Sequence, residues 1–366
     1  MTKSHLRTTP SYLLADHPMP TGREEIWRFT PIAQIKGLLD DAAPWVPLTP
    51  VVDGWDATRA PIGPHTPAPV DRASAIGYNH APEASVLRLS GEVDQPVTVT
   101  YEATGGSQVS QLVIQAAPLS RAVVVLRHIG VGDFIGNVAI DVGEGADLTL
   151  VSLQEWDNAC HAGWHHGLVG RDAHYRHVAV SLGGPLVRLQ SNVSYAGPGG
   201  QAELFGLHMT DAGQHHEHRL FVDQNMPKTT SRVDYRGALQ GAGAHSVWIG
   251  DVLIRRDAYG IDSYEQNRNL LLTNGCIADS VPNLEIETGN IVGAGHSSAT
   301  GHFDDEQLFY LCSRGIPEAQ ARRLVVQGFL GEIIRRIGVA SIEQRLIRVV
   351  DDELERAEMA SKENHG

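Results

Sequence analysis

Between about Val86 and Ile291 the chain is a succession of short apolar or alternating runs separated by Gly, Asp and Asn. Ala122–Leu126, Leu148–Leu153, His177–Leu182, Val187–Tyr195, Glu203–Met209, His218–Val222, Ser246–Ile249 and Val252–Ile254 have the length and β-branched content of strands. No helical period separates them, so alternating strand–helix units are not expected. Many short strands joined by irregular turns predict a sandwich, a barrel or a β-solenoid. The spacing is too uneven to read as one fixed repeat.

The two ends differ from this middle. Residues 1–20 carry no pattern and read as disordered. Thr21-Gly-Arg-Glu24 is a capping-box pattern ahead of Ile26, Trp27 and Phe29 and predicts a short helix. Pro44 to Pro69 is proline-rich and irregular. After about residue 303 the period becomes helical. Asp304-x-x-Gln307 marks a start, Gly315 a stop, and Pro317 suits the first turn of a second helix. Leu324, Val325, Phe329, Ile333 and Ile337 lie near one face of that helix. Ser341-x-x-Gln344 caps a third, with Ile342, Leu346, Val350 and Leu354 along a stripe. Such stripes either pack within the chain or dock a partner. The expected division is an irregular and helical region over 1–85, a β core over 86–303 and a helical domain over 304–366.

Composition narrows the classes of function. The 366 residues carry a formal net charge of −14, against a nucleic-acid surface. Arg335-Arg336, the most basic cluster, reads as a solvated helix end. No run has signal-peptide or membrane-spanning length, so a cytoplasmic protein that does not enter membranes is expected. Cys160, Cys276 and Cys312 are an odd, scattered set with no Cys-x-x-Cys, so this chain alone cannot build a four-cysteine metal site. None of the lysines, Lys3, Lys36, Lys228 and Lys362, follows the glycine-rich turn of a P-loop, which argues against nucleotide hydrolysis. Gly197, Gly199 and Ala202 precede a strand where a dinucleotide fingerprint requires a helix. Gly295-His-Ser-Ser-Ala299 lacks the final glycine of a nucleophile elbow.

Histidine is abundant, with 18 copies. Cys160 with His161, His165 and His166 forms one cluster, and His215, His216 and His218 with Glu217 another. In a strand, His216 and His218 share a face that His215 does not, so a metal there needs help from another turn of chain. Both clusters read as surface histidines satisfied by water or backbone. Cys312 lies among Leu308, Phe309 and Leu311 and reads as a packed thiol. Cys276 follows Gly275 in a turn and is a candidate sulfur carrier.

One ordered series remains: Asn267-Arg-Asn-Leu-Leu-Leu272, Pro282-Asn-Leu-Glu-Ile286, Gly295-His-Ser-Ser-Ala-Thr-Gly-His302 and Leu308-Phe-Tyr-Leu-Cys-Ser-Arg-Gly-Ile316. It resembles the SufB/SufD family of iron–sulfur cluster assembly proteins, on the SufD side, from about Thr21 to Val350. The resemblance implies a right-handed parallel β-helix core with helical segments at both ends. It implies a non-enzymatic scaffold that pairs with a SufB-type subunit and docks a SufC-type ATPase on its C-terminal helices (Leu324, Val325, Phe329 and Ile333); whether the isolated chain is a homodimer or a monomer is left open. It implies no cofactor held stably by this chain alone, but a transient iron–sulfur cluster shared with the partner; flavin binding is left open. In such proteins the histidine matching His296 lies at the SufB interface, where it either ligates iron or makes an interface hydrogen bond. Relatives often place a cysteine two residues earlier, where this chain has Ala294, and a glutamine at His302, the second metal candidate. The alternatives are a SufB-type scaffold, which is usually longer and richer in cysteine, and a β-helix enzyme acting on acidic polysaccharides.

Overall fold

The computed structural model describes residues 9–55, 57–63, 66–303 and 305–363. In chain order it contains α1 (Ile32–Ile35), β1 (Val46–Pro47), β2 (Val51–Val52), β3 (Thr58–Pro61), α2 (Arg72–His80), β4 (Glu83–Leu89), β5 (Val97–Ala116), β6 (Arg121–Val142), β7 (Asp147–Val169), β8 (His174–Ser181), β9 (Leu186–Tyr195) and β10 (Gln201–Thr210). There follow β11 (His215–Gln224), β12 (Thr230–Leu239), β13 (His245–Ile254), β14 (Asp262–Leu271), β15 (Ile277–Ile286), β16 (Gly293–His302), α3 (Asp305–Ser313), α4 (Glu318–Arg336) and α5 (Ala340–Glu363).

The strands from β4 onward form a parallel β-solenoid of about 8 turns. Long strands β5, β6 and β7 open it; β7 then splits, its first half pairing β8 and its second half β9. From there each turn is two strands, which stack as β8-β10-β12-β14-β16 on one wall and β9-β11-β13-β15 on the other. The ladders β10–β12, β12–β14 and β14–β16 are in register over all ten residues. The β6–β7 register shifts at a glycine, between Gly130 and Val131. Gly130 in β6 has φ +99°, and a side chain there would meet the Ala103 carbonyl oxygen at 2.0 Å. Ser246–Ile249 and Val252–Ile254, expected as two strands, are one strand, β13.

The interior is mixed. Leu126, Phe134, Leu150, Trp156, Tyr175, Leu204, Tyr235 and Trp248 form an apolar core, and buried with them are His128, His161, His165, His177, His208, His216 and His218. The surface reading of the two histidine clusters is therefore wrong. In a solenoid each strand has neighbours on both sides and one face turned inward, so polar residues in central strands are enclosed. His216 and His218 do share a face. His218 stacks on His208 at 5.1 Å and bonds Ser181 Oγ, while His216 bonds Thr210 and Gly183. His215 turns the other way, to Glu217 and His245. Among the described residues no group of three or more His, Cys, Asp or Glu is arranged to hold a metal.

The N-terminal segment lies on the solenoid. Residues 9–20, expected to be disordered, are tied down by Ser11 N–H to the Pro69 carbonyl and by Arg72 to the His17 carbonyl; residues 1–8 lie outside the described residues. Thr21 and Glu24 do bond each other, but they precede a 3-10 turn at Glu25–Trp27 instead of an α-helix. Helix α2 was not foreseen. Asp71 caps it in a reciprocal box with Ser74. Asp71 also meets Arg188 at 2.6 Å, and Arg188 in turn reaches Glu217 at 3.2 Å, stacks on Trp27 and donates to the Ile26 carbonyl.

At the other end α4 and α5 cover the β8-β10-β12 wall. Val326, Leu330, Ile333 and Ile334 of α4 and its C-cap Ile337, with Ile342, Leu346, Val350 and Leu354 of α5, pack on Val151, Val178, Val180, Phe205 and Leu207. The α5 stripe packs within the chain, although the helix starts at Ala340, ahead of Ser341. On α4 the buried stripe is only partly the one expected: Ile333 and Ile337 belong to it, but Leu324 faces solvent, and Pro317 is the N-cap, one residue before the first turn. Arg336 is not merely solvated, since it reaches Asp234 at 3.4 Å and lies over Phe205. The Asp304 start signal lies outside the described residues.

Candidate functional site at the open end of the solenoid

The last turn has neighbours on one side only: β15 pairs only β13, and β16 only β14, among the described residues. Its two ten-residue strands thus present unpaired backbone groups, and Ile277, Ile286 and Val292 stand exposed around them.

Register places the chemistry. In a parallel ladder, paired residues project to the same face. His296 pairs Glu265, Ser298 pairs Asn267, and Thr300 pairs Asn269. Asn267 and Asn269 are buried; Asn267 bonds through both ends of its amide and Asn269 through its nitrogen alone. Asn267 donates to the Tyr235 carbonyl and accepts from Ser280, and Asn269 donates to Asn267, Ser280 and Thr300. The mouth of the solenoid is therefore lined by polar residues from β14, β15 and β16.

His296 is 43 % exposed, with Nδ1 3.9 Å from Glu265 Oε1. Glu265 is buried beneath it, and neither of its oxygens has a hydrogen-bond partner among the described residues. Burial, and secondarily the charge of Asp251, pushes the Glu265 carboxyl up to about 8. Gly250 makes room for it: a side-chain carbon there would stand 2.3 Å from Glu265 Oε2. Sequence reasoning missed Glu265; its only signal was a lone acid in a strand one turn before His296.

The other candidates lie apart. His302 is exposed on the same strand, six residues or about 20 Å along. It pairs Leu271, with no acid beneath it. Cys276 is half-buried in the turn before β15, with its thiol donating to the Gly241 carbonyl. Cys312 is half-buried in α3. The Cys160 thiol is pushed up to about 11 by burial and by Asp133, which leaves it a poor nucleophile. Of the expected docking residues, Ile333 is wholly buried and Leu324 is exposed. Val325 and Phe329 are half-buried, and Phe329 packs against the α4–α5 cluster. Phe309 and Tyr310 of α3 extend the exposed apolar surface.

Comparison with known proteins identifies the family. The family model described as "SUF system FeS cluster assembly, SufBD core domain" matches residues 99–329. An iron–sulfur cluster assembly SufBD family protein of Mycobacterium tuberculosis is 47 % identical over 94 % of this chain and 91 % of its own length. The iron–sulfur cluster assembly protein SufD of Escherichia coli is 22 % identical over 92 % of this chain and 89 % of its own. SufD of Bacillus subtilis is 32 % identical over 30 % of this chain and 24 % of its own. The chain belongs to the SufB/SufD family of iron–sulfur cluster assembly proteins and is SufD-like.

Proposed function

We propose that this chain is a non-enzymatic scaffold subunit of a cytoplasmic SUF assembly complex. It pairs its open last turn with that of a SufB-type subunit and carries a SufC-type ATPase on its C-terminal helices. The observation that carries this reading is the uncapped end of the solenoid, with two long parallel edges around a polar mouth that holds His296. Edge strands of this length pair readily with another chain. Pairing would enclose His296 in an interface, where a neutral imidazole can take iron as cargo. The partner supplies the thiolates of the cluster. The family's role in cluster assembly sets aside a polysaccharide-acting enzyme.

Co-expression with a SufB-type subunit and the ATPase tests the reading. The expected product is a complex containing all three, and a homodimer when the chain is expressed alone. A chain that purifies as a monomer in both settings overturns it. Purified alone, it is expected to show no saturable ATP binding by calorimetry, since it has no P-loop lysine.

The docking face is tested by surface substitution rather than by deletion. Removing α4 and α5 would strip the cover from Val151, Val178, Phe205 and Leu207 and unfold the wall beneath. Leu324→Asp combined with Phe309→Asp changes exposed positions only, so stability should move by no more than about 0.5 kcal/mol for each substitution. ATPase co-purification is expected to fall at least tenfold, with SufB pairing retained. Stoichiometric retention of the ATPase by this variant places the dock elsewhere.

A further inference from the structure

We infer that Glu265 is a second iron-binding side chain, which together with His296 forms a two-point clamp for a divalent ion at the mouth of the solenoid. The inference takes the identity of the metal from the assembly reading above, but its evidence is local.

The first observation is the environment of the Glu265 carboxyl. It is 1 % exposed at the centre of β14, and neither oxygen has a hydrogen-bond partner among the described residues. Buried polar groups are almost always bonded, and an exception calls for a reason. The contrast within this molecule is direct. Asp71 and Glu217, equally buried, are both held by Arg188. Asp234, whose oxygens also lack a hydrogen bond, still has two arginines beside it, Arg236 at 3.7 Å and Arg336 at 3.4 Å. Among the described residues no arginine or lysine ion pair reaches Glu265; the basic group paired with it is His296. The same strand carries Asn267, which donates to the Tyr235 carbonyl and accepts from Ser280, so a neutral amide suits this wall. A carboxylate is retained where an amide would do, and it points at the exposed imidazole.

The second observation is geometry. Ligand oxygens and nitrogens sit about 2.0–2.2 Å from a divalent metal of this class. Two ligands on one ion are then about 3–3.5 Å apart, and the 3.9 Å between His296 Nδ1 and Glu265 Oε1 closes to that by a small rotation of the exposed imidazole. The missing side chain at Gly250 leaves the carboxyl its place. One hard oxygen and one imidazole nitrogen suit ferrous iron, manganese or zinc, and not cuprous copper. The remaining coordination positions face the open end, where a partner's thiolates or sulfide can enter.

The test is anaerobic titration of the purified chain with ferrous iron, and with cobalt(II) as an optical probe, for wild type, His296→Ala and Glu265→Gln. Wild type is expected to bind one ion per chain, and each variant to bind at least tenfold more weakly. The melting temperature of the nearly isosteric Glu265→Gln protein should not fall. If Glu265→Gln binds like wild type while His296→Ala does not, Glu265 is not a ligand. If all three behave alike, bound or unbound, the clamp does not exist. The scaffold reading is judged separately by wild-type co-purification, which no metal titration affects.

Discussion

Lowering the pH from 7.5 to 4 is expected to unfold this protein cooperatively, with a midpoint near pH 5. The cause is the interior histidines. Burial holds His128, His177 and His216 down at about 4 and His218 at about 3, with neighbouring imidazoles lowering His216 and His218 further. His161, His165 and His208 are also well below the ordinary value, again through burial and then neighbouring histidines. A group whose folded value is depressed in this way stays neutral in the fold but takes up a proton in the unfolded chain. Its contribution is intact above about 6.5 and is lost as the pH falls from there towards 4. At pH 5 each of the first four costs about 2 kcal/mol, at roughly 1.4 kcal/mol per pH unit. Together they approach the whole stability of a typical domain, about 5–15 kcal/mol. Circular dichroism followed with potentiometric proton counting should show several protons taken up within the unfolding transition. Native circular dichroism retained at pH 4 would sink this account.

The same residues show where sequence reasoning reached its limit. Strands such as β9 and β10 were legible because they combine β-branched content with flanking turn residues. The repeat was not. The strands of one wall begin at Leu186, His215, His245 and Ile277, so successive turns advance by 29, 30 and 32 residues. Unequal turns blur a period even when the register is perfect. Helix α2 was invisible because Arg72-Ala-Ser-Ala-Ile-Gly-Tyr-Asn-His80 buries small residues and has no apolar stripe; Gly77 approaches Ile135 so closely that a side chain would collide. Its one signal, Asp71-x-x-Ser74, lay beside the proline-rich stretch. His296 was found through the family resemblance. Glu265 beneath it needed the pairing of β14 with β16, a relation between residues 31 apart that local pattern does not encode.

Replacing Arg188 with Ala is expected to cost about 3–5 kcal/mol, the usual cost of breaking a buried ion pair from one side. Arg188 is 1 % exposed, as is its partner Asp71, and Glu217 is wholly buried. It joins three parts of the chain: β9, which carries it, Glu217 on β11, and the N-terminal segment through Asp71, Trp27 and the Ile26 carbonyl. Burial alone would raise the Glu217 carboxyl, but Arg188, His215 and Arg219 outweigh it and hold it at about 2. That stabilisation is present above the ordinary carboxylate value of about 4.5 and is lost only as the pH falls towards 2. Without Arg188, Asp71 loses its ion pair and Glu217 keeps only the longer contacts to His215 at 3.4 Å and Arg219 at 3.8 Å; Thr30, which donates to Glu217 at 2.7 Å, does not replace a charge. The N-terminal segment should then detach before the solenoid unfolds, so limited proteolysis should cut between residues 9 and 80 while the β core persists. Adding Asp71→Asn and Glu217→Gln to Arg188→Ala removes the stranded charges and should recover a large part of the lost stability. If Arg188→Ala melts within a degree of wild type, the network is not what holds the N-terminal segment. If the triple variant is no more stable than the single one, the loss comes from missing packing over Trp27 and not from unpaired charge.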